Sequence, residues 1–267
     1  MGLPELYDDA AQNVMEQSAG IGLWGVMGWG PLGWPEGESW PPNFTYGPNP
    51  MSAWSRAEVG WSPPETIEAD TTGLKIYDVH SDAGKVYQIP VRDSDTEYFL
   101  LANRQNTYSE STIGNYYDDS APAHGLLIWH IDEDVLPTSN RPNANEAHKR
   151  VDLECADGLF SDRGFPGNIP NSETGGDNLD YVSGDSTYTK NRNGNFGDAT
   201  DVWTSGKFTP YSNPSTAGYS DNDLQKEFSG IAVRNIRQTN GVMSVDVHFI
   251  PSAPRDLGWP PMETKLK

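Results

Sequence analysis

Apolar and polar positions change rhythm along this 267-residue chain, separating a short aromatic N-terminal part from a longer β-like one. Pro4 to Gln17 predicts a short helix, with Asp8 and Asp9 near its start and Gly20 just past its end. Gly22 to Gly37 carries six glycines together with Trp24, Trp29 and Trp34, which predicts a packed irregular segment. A second helix is expected over Met51 to Val59, with Asn49 as its cap, Pro50 in its first turn and Gly60 as its stop.

Beyond Trp61 the pattern is that of strands and loops. Lys75 to Val79, Lys85 to Val91 and Glu97 to Asn103 are short β-like runs separated by turn residues. Gly125 to Ile131, GLLIWHI, is apolar on both alternating faces, so it predicts a central strand covered on each side. Gly230 to Gln238 and Val242 to Ile250 flank Thr239-Asn240-Gly241, and Asn-Gly favours a tight hairpin turn because both positions tolerate positive φ. In the second arm Met243, Val245, Val247 and Phe249 alternate with Ser244, Asp246 and His248, the signature of a half-buried strand. Asp157 to Tyr219 is rich in Gly, Asn, Asp and Ser with little periodicity, and a loop that long inside a domain calls for something to order it, such as a metal ion. Pro251 to Lys267, with four prolines, reads as a linker or tail. The expected fold is α+β, mostly β, with short helices and long loops running into antiparallel sheet or sandwich structure.

Charge narrows the partners. A net charge of −20 and a pI of about 4.4 argue against nucleic acid and anionic membrane surfaces, which would repel such a chain. No uninterrupted apolar run approaches the roughly 18 residues of a membrane-spanning helix. The single cysteine, Cys155, cannot form an intramolecular disulfide, and with nothing basic near it in sequence it reads as a small buried hydrophobe. Calcium takes its ligands from carboxylate, carbonyl and water oxygens, so Glu154, Asp157 and Asp162, or Asp198 and Asp201, in glycine-containing loops are the candidate calcium ligands. Asp157, Asp198 and Asp201 are the set carried forward. His130 has Asp132 and Glu133 close by, but on a buried strand it reads as a histidine satisfied by a hydrogen bond, while His124 and His148 fall in loops. Most of the nine tryptophans sit among Gly and Pro in the first 61 residues, where packing explains them better than a glycan platform does.

The candidate catalytic signal is at the N-terminus. Metzincin-type zinc proteases carry H-E-x-x-H-x-x-G-x-x-[H/D] and a later Met-turn: two histidines share a helical face, the glycine bends the chain, and the third ligand swings back to the metal. Gly2-Leu3-Pro4-Glu5 fits the last four positions. It runs on as Leu6-Tyr7-Asp8, and Gly22-Leu23-Trp24-Gly25-Val26-Met27 follows. Then come Met51-Ser52-Ala53-Trp54-Ser55 with Gly60-Trp61, Glu97 to Leu101 with Asn103-Arg104-Gln105, Gly125 to Glu133, His148 to Gly158, and Gly197-Asp198-Ala199-Thr200-Asp201. In that order, over roughly residues 2 to 250, these words resemble the immune inhibitor A family of secreted bacterial metalloproteases.

The resemblance implies an extracellular zinc endopeptidase acting on protein or peptide substrates. Gly2 would be the bend, Glu5 the third zinc ligand in place of the family's usual Asp, and Met27 the floor under the metal. Residues 1–62 would be the lower part of the catalytic domain, 63–250 a β-rich region of the same unit, and 251–267 a linker or tail. His-Glu-x-x-His is absent, because no two of His80, His124, His130, His148 and His248 are four apart. The general base and two ligands are therefore expected in a missing N-terminal half, with the second histidine two positions before Met1, and the chain alone is expected to be inactive. The competing expectation is a non-catalytic, calcium-stabilised β-rich binding or adhesion module of protease ancestry.

Overall fold

A computed structural model describes residues 2–7, 19–30, 48–91, 94–105, 121–136, 141–144, 148–158, 179, 197–219 and 226–251. Its elements are a 3-10 turn at Gly22–Trp24, helix α1 (Ala53–Glu58), and strands β1 (Glu65–Thr66), β2 (Thr71–Ile76), β3 (Tyr87–Pro90), β4 (Glu97–Arg104), β5 (Gly125–Asp132) and β6 (Val151–Leu153). These are followed by β7 (Ser205–Phe208), β8 (Gly218–Tyr219), β9 (Lys226–Glu227), β10 (Ile231–Thr239) and β11 (Val242–Phe249). A five-stranded sheet has the order β1-β3-β4-β5-β6, a four-stranded sheet β2-β11-β10-β7, and β8 pairs with β9.

Strand β5 is buried at every position, as its doubly apolar pattern predicts. On one face Leu126 and Ile128 join Phe99 and Leu101 of β4 and pack against Ile76, Phe208, Val233, Met243 and Val245 of the four-stranded sheet, so the two sheets form a sandwich. On the other face Leu127, Trp129 and Ile131, with Leu100, Val151 and Leu153, pack against Leu6, Ile21, Trp24, Ala53 and Trp54. The N-terminal segments thus form a third layer on the central sheet.

The β10–β11 hairpin has the expected register, Thr239 opposite Val242, and turns through Asn240 (φ 50) and Gly241 (φ 76). Pairing is antiparallel throughout the four-stranded sheet, but β1 runs parallel to β3, so the central sheet is mixed rather than purely antiparallel.

Several expectations need correction. Pro4 to Tyr7 is not helical: the Leu6 amide donates to the Met27 carbonyl at 2.8 Å and the Leu6 carbonyl accepts from Ile21 at 3.1 Å, so its backbone groups are spent on tertiary partners. Residues 8–17 of that predicted helix lie outside the described residues. Helix α1 is capped by Ser52, whose Oγ accepts from the Ser55 amide at 3.1 Å. Asn49, the expected cap, instead donates its side-chain amide to the Leu23 carbonyl at 2.8 Å. The stretch from Asp157 to Tyr219 also contains β7 and β8. Only Phe208 of β7 reaches the core, so no apolar alternation announces that strand. Of the 251–267 tail, residues 252–267 lie outside the described residues.

If β5 is the shared layer, truncating it on the N-terminal side should be as damaging as on the sandwich side. Leu127→Ala and Ile128→Ala should each lower unfolding free energy by about 2–5 kcal/mol in denaturant titrations. A cost near zero at Leu127 would mean that the N-terminal layer is not packed there.

Candidate functional site

Three groups of polar residues stand out, and sequence reasoning pointed to two of them. The first is the segment that resembles the end of a zinc motif. Gly2 is exposed and takes φ +73, a left-handed conformation suited to a bend. Leu6 is clamped by Met27 and Ile21, and Asn143 donates to its carbonyl at 3.3 Å while also bonding both backbone groups of Val151 in β6. A Cβ on Gly20 would lie 1.8 Å from the Leu6 carbonyl oxygen, so only glycine permits this approach. Met27 is half-buried against the N-terminal layer of the core. Glu5 is half-buried, with Oε2 3.9 Å from Nε of Arg141. The Tyr7 phenol is pushed up by burial and by the Glu5 carboxylate beside it. Among the described residues no group of three or more His, Cys, Asp or Glu includes Glu5, so a zinc site built on it would need ligands from elsewhere.

The second group is Asp157, Asp198 and Asp201. Loops after β6 and before β7 bring one carboxylate oxygen from each within 4.8 Å of one another. Asp201 is fully buried, and its Oδ2 accepts from the Trp24 indole and the Asp198 amide, each at 2.8 Å. Burial, with the charges of Asp198 and Asp157 beside it, pushes its pKa up to about 7 against the pull of the indole and amide donors. The Thr200 hydroxyl lies 2.6 Å from Asp157 Oδ2 and 2.5 Å from Asp198 Oδ1. Glu154 is not part of this cluster, and Asp162 lies outside the described residues.

Glu154 instead belongs to a third group that sequence reasoning missed. His130 is fully buried on β5, its Nε2 2.7 Å from Glu97 Oε1 and its Nδ1 3.2 Å from Glu154 Oε1. The expectation of a buried histidine satisfied by a hydrogen bond holds at Nε2, through Glu97, while at Nδ1 the Glu154 carboxylate stands at ion-pair distance outside hydrogen-bond geometry. Tyr219 of β8 stacks on His130 at 4.3 Å and on His148 at 4.2 Å, and its amide donates to Glu97 Oε1 at 2.7 Å. His148 contacts Asp132 Oδ2 at 2.6 Å. Lys149, buried, reaches Asp152 Oδ1 at 3.2 Å, and Asp152 is the register partner of His130. Burial alone would depress the His130 pKa, but the Glu154 and Glu97 carboxylates against its two ring nitrogens outweigh it and hold it up at about 9. Asp132 titrates below the ordinary range although burial opposes this, because His148 and the Asp134 amide favour its charged form. One signal was available: in Val151 to Cys155, VDLEC, acidic residues occupy alternate positions of a strand whose other positions are apolar.

The chain matches no family model, no curated protein and no solved structure. No helix among the described residues is long and apolar enough to cross a membrane.

The His130 geometry fixes a pH dependence. Its folded pKa of about 9 lies above the ordinary histidine value of 6.5, so the charged form stabilises the fold fully below about 6.5 and that contribution is lost as pH rises through 9. Asp201, at about 7, has largely ionised before the upper half of this window. Denaturation in chelator between pH 7.5 and 9.5 should therefore show a falling stability, by a few kcal/mol in all, which His130→Gln flattens. An unchanged slope in the variant would assign the loss to other groups.

Proposed function

We propose that the chain forms the floor and supporting β-sandwich of an immune inhibitor A-like secreted zinc endopeptidase and is inactive by itself. The single observation carrying this reading is the 2.8 Å bond from the Leu6 amide to the Met27 carbonyl, which sets the segment bearing Glu5 directly on the turn bearing Met27. A third metal ligand and the floor beneath it have to be neighbours, and in sequence they are far apart. Support also comes from the position of the family-like words: Trp54 and the strands β4, β5 and β6 all build the core to which this floor is anchored. Peptide hydrolysis by zinc needs three protein ligands, an open water position and a general base. Glu5 contributes one ligand position, and a His-Glu-x-x-His segment joined ahead of Gly2 contributes the rest.

The alternative, a non-catalytic calcium-stabilised binding or adhesion module, is favoured by the pairing of Glu5 with Arg141. Grafting separates the two. A purified chain in which a helix ending His-Glu-x-x-His-x-x is placed immediately before Gly2 should bind zinc and hydrolyse a peptide library, while the chain without that helix should do neither. Replacing Glu5 by Ala in the graft should weaken zinc binding by more than about tenfold, since even outer-shell changes typically cost that much. Zinc binding unaffected by Glu5→Ala, or a folded graft that binds no zinc, would leave the binding-module reading in its place.

A further inference from the structure

Asp201 is an unusual carboxylate for a fold to bury. Its Oδ2 has two donors, but its Oδ1 is sealed from solvent and has no hydrogen-bond partner among the described residues. A buried carboxylate oxygen without a donor is costly, and the cost rises when oxygens of two further carboxylates lie within 4.8 Å of an oxygen of the same group. Thr200 presents one hydroxyl proton to two carboxylate oxygens, one from Asp157 and one from Asp198, and can serve only one at a time. The Trp24 indole and the Asp198 amide hold the side chain through Oδ2, and Gly197 leaves the room this needs, since a Cβ there would lie 2.7 Å from the indole nitrogen and 3.2 Å from Asp201 Oδ2.

From this arrangement we propose that Asp157, Asp198 and Asp201 bind a hard divalent cation, with calcium the best fit. The donor set is all oxygen, without imidazole or thiolate, which disfavours zinc and copper and suits calcium, magnesium or manganese. Calcium accepts oxygens at about 2.3–2.6 Å in flexible geometry, so two ligands on opposite sides of it stand close to 5 Å apart, whereas magnesium at about 2.0–2.1 Å requires a tighter cage. Asp157 and Asp198 are half-buried, so water can complete the shell on the outer side while Asp201 supplies the inner one. The cation joins the loop after β6 to the loop before β7, which already meet through the Ala156 amide and the Asp201 carbonyl at 3.0 Å. It thereby clips together the two ends of the long Gly- and Asn-rich stretch between them. This site does not depend on the protease reading, and its test reads no proteolysis.

Terbium replaces calcium at oxygen sites and luminesces when excited through a nearby indole, and Trp24 touches the Asp201 carboxylate directly. The full chain, stripped with chelator, should give terbium luminescence that calcium displaces at lower concentration than magnesium does, and calcium should raise its melting temperature. Asp201→Asn and Asp198→Asn should each weaken calcium binding by about tenfold or more. Asp157→Asn, whose carboxylate meets Thr200 at the half-buried rim, should do the same with an unchanged circular dichroism spectrum and keeps the test decisive if Asp201→Asn unfolds. Asp70→Asn, on the exposed edge beside Phe249, should leave binding unchanged. Luminescence and calcium affinity equal in wild type and Asp157→Asn, or lost equally in Asp70→Asn, would overturn the site in favour of diffuse binding to an acidic surface.

Discussion

A strand with no exposed position needs a layer against each face, and the eight residues of β5 are such a strand. The two layers solve this by different means. On the sandwich side a second sheet brings its own ladder hydrogen bonds, so its backbone is satisfied before it docks. On the other side lies an irregular, glycine-rich N-terminal layer with no ladder, whose carbonyls are met by turn and tertiary backbone bonds and, at several points, by single side chains. Asn49 serves Leu23, Arg104 serves Trp24 at 2.9 Å, and Asn143 serves Leu6. Three buried polar side chains therefore complete for this layer what its turns leave unmet and strand pairing supplies in the other.

The polar group around His130 interrupts the sandwich face of the same strand. Its order reflects position more than stability, because burying charges costs about as much as their attraction returns, while removing one partner leaves another charge stranded. Glu97 accepts from both His130 and the Tyr219 amide, and a Cβ on Gly218 would stand 3.0 Å from Glu97 Oε1. Strand β8 can dock there in one way, with Tyr219 slotted between the two histidine rings. An apolar patch of the same area would accept it in several.

What could be read in the sequence depended on whether the signal was local. Strand β5 and the Asn240-Gly241 hairpin were legible because period-two patterning and turn chemistry act within a few residues. Strand β7 was not, since a short edge strand with one core residue, Phe208, has no pattern to show. The helix cap moved from Asn49 to Ser52 because the asparagine amide was drawn into a tertiary bond that local rules do not see. Asp157, Asp198 and Asp201 were named from composition alone, as acids in glycine-containing loops. What composition could not supply was the feature that distinguishes them from a solvated acidic surface: the indole that pins Asp201 comes from Trp24, 177 residues away. The partners of His130 were hidden for the same reason, being set by strand register rather than by spacing.

Trp24 also joins the acidic cluster to the N-terminal layer. Its carbonyl accepts from Arg104, the guanidinium lies 5.7 Å above its ring, and its indole N–H ends on Asp201. The strength of that last bond depends on the charge of the acceptor, since a hydrogen bond to a carboxylate is roughly twice as strong as one to its neutral acid. With its pKa near 7, Asp201 is only partly ionised at neutral pH when nothing neutralises its neighbours. A cation shared by the three carboxylates, as proposed above, would keep it fully ionised and so tighten its grip on Trp24. Trp24 ends the 3-10 turn that leads directly into Gly25, Val26 and Met27, and Met27 in turn holds the Leu6 amide next to Glu5. The acidic cluster and the segment carrying Glu5 are thus linked through one indole, so occupancy of the proposed cation site would bear on the placement of Glu5.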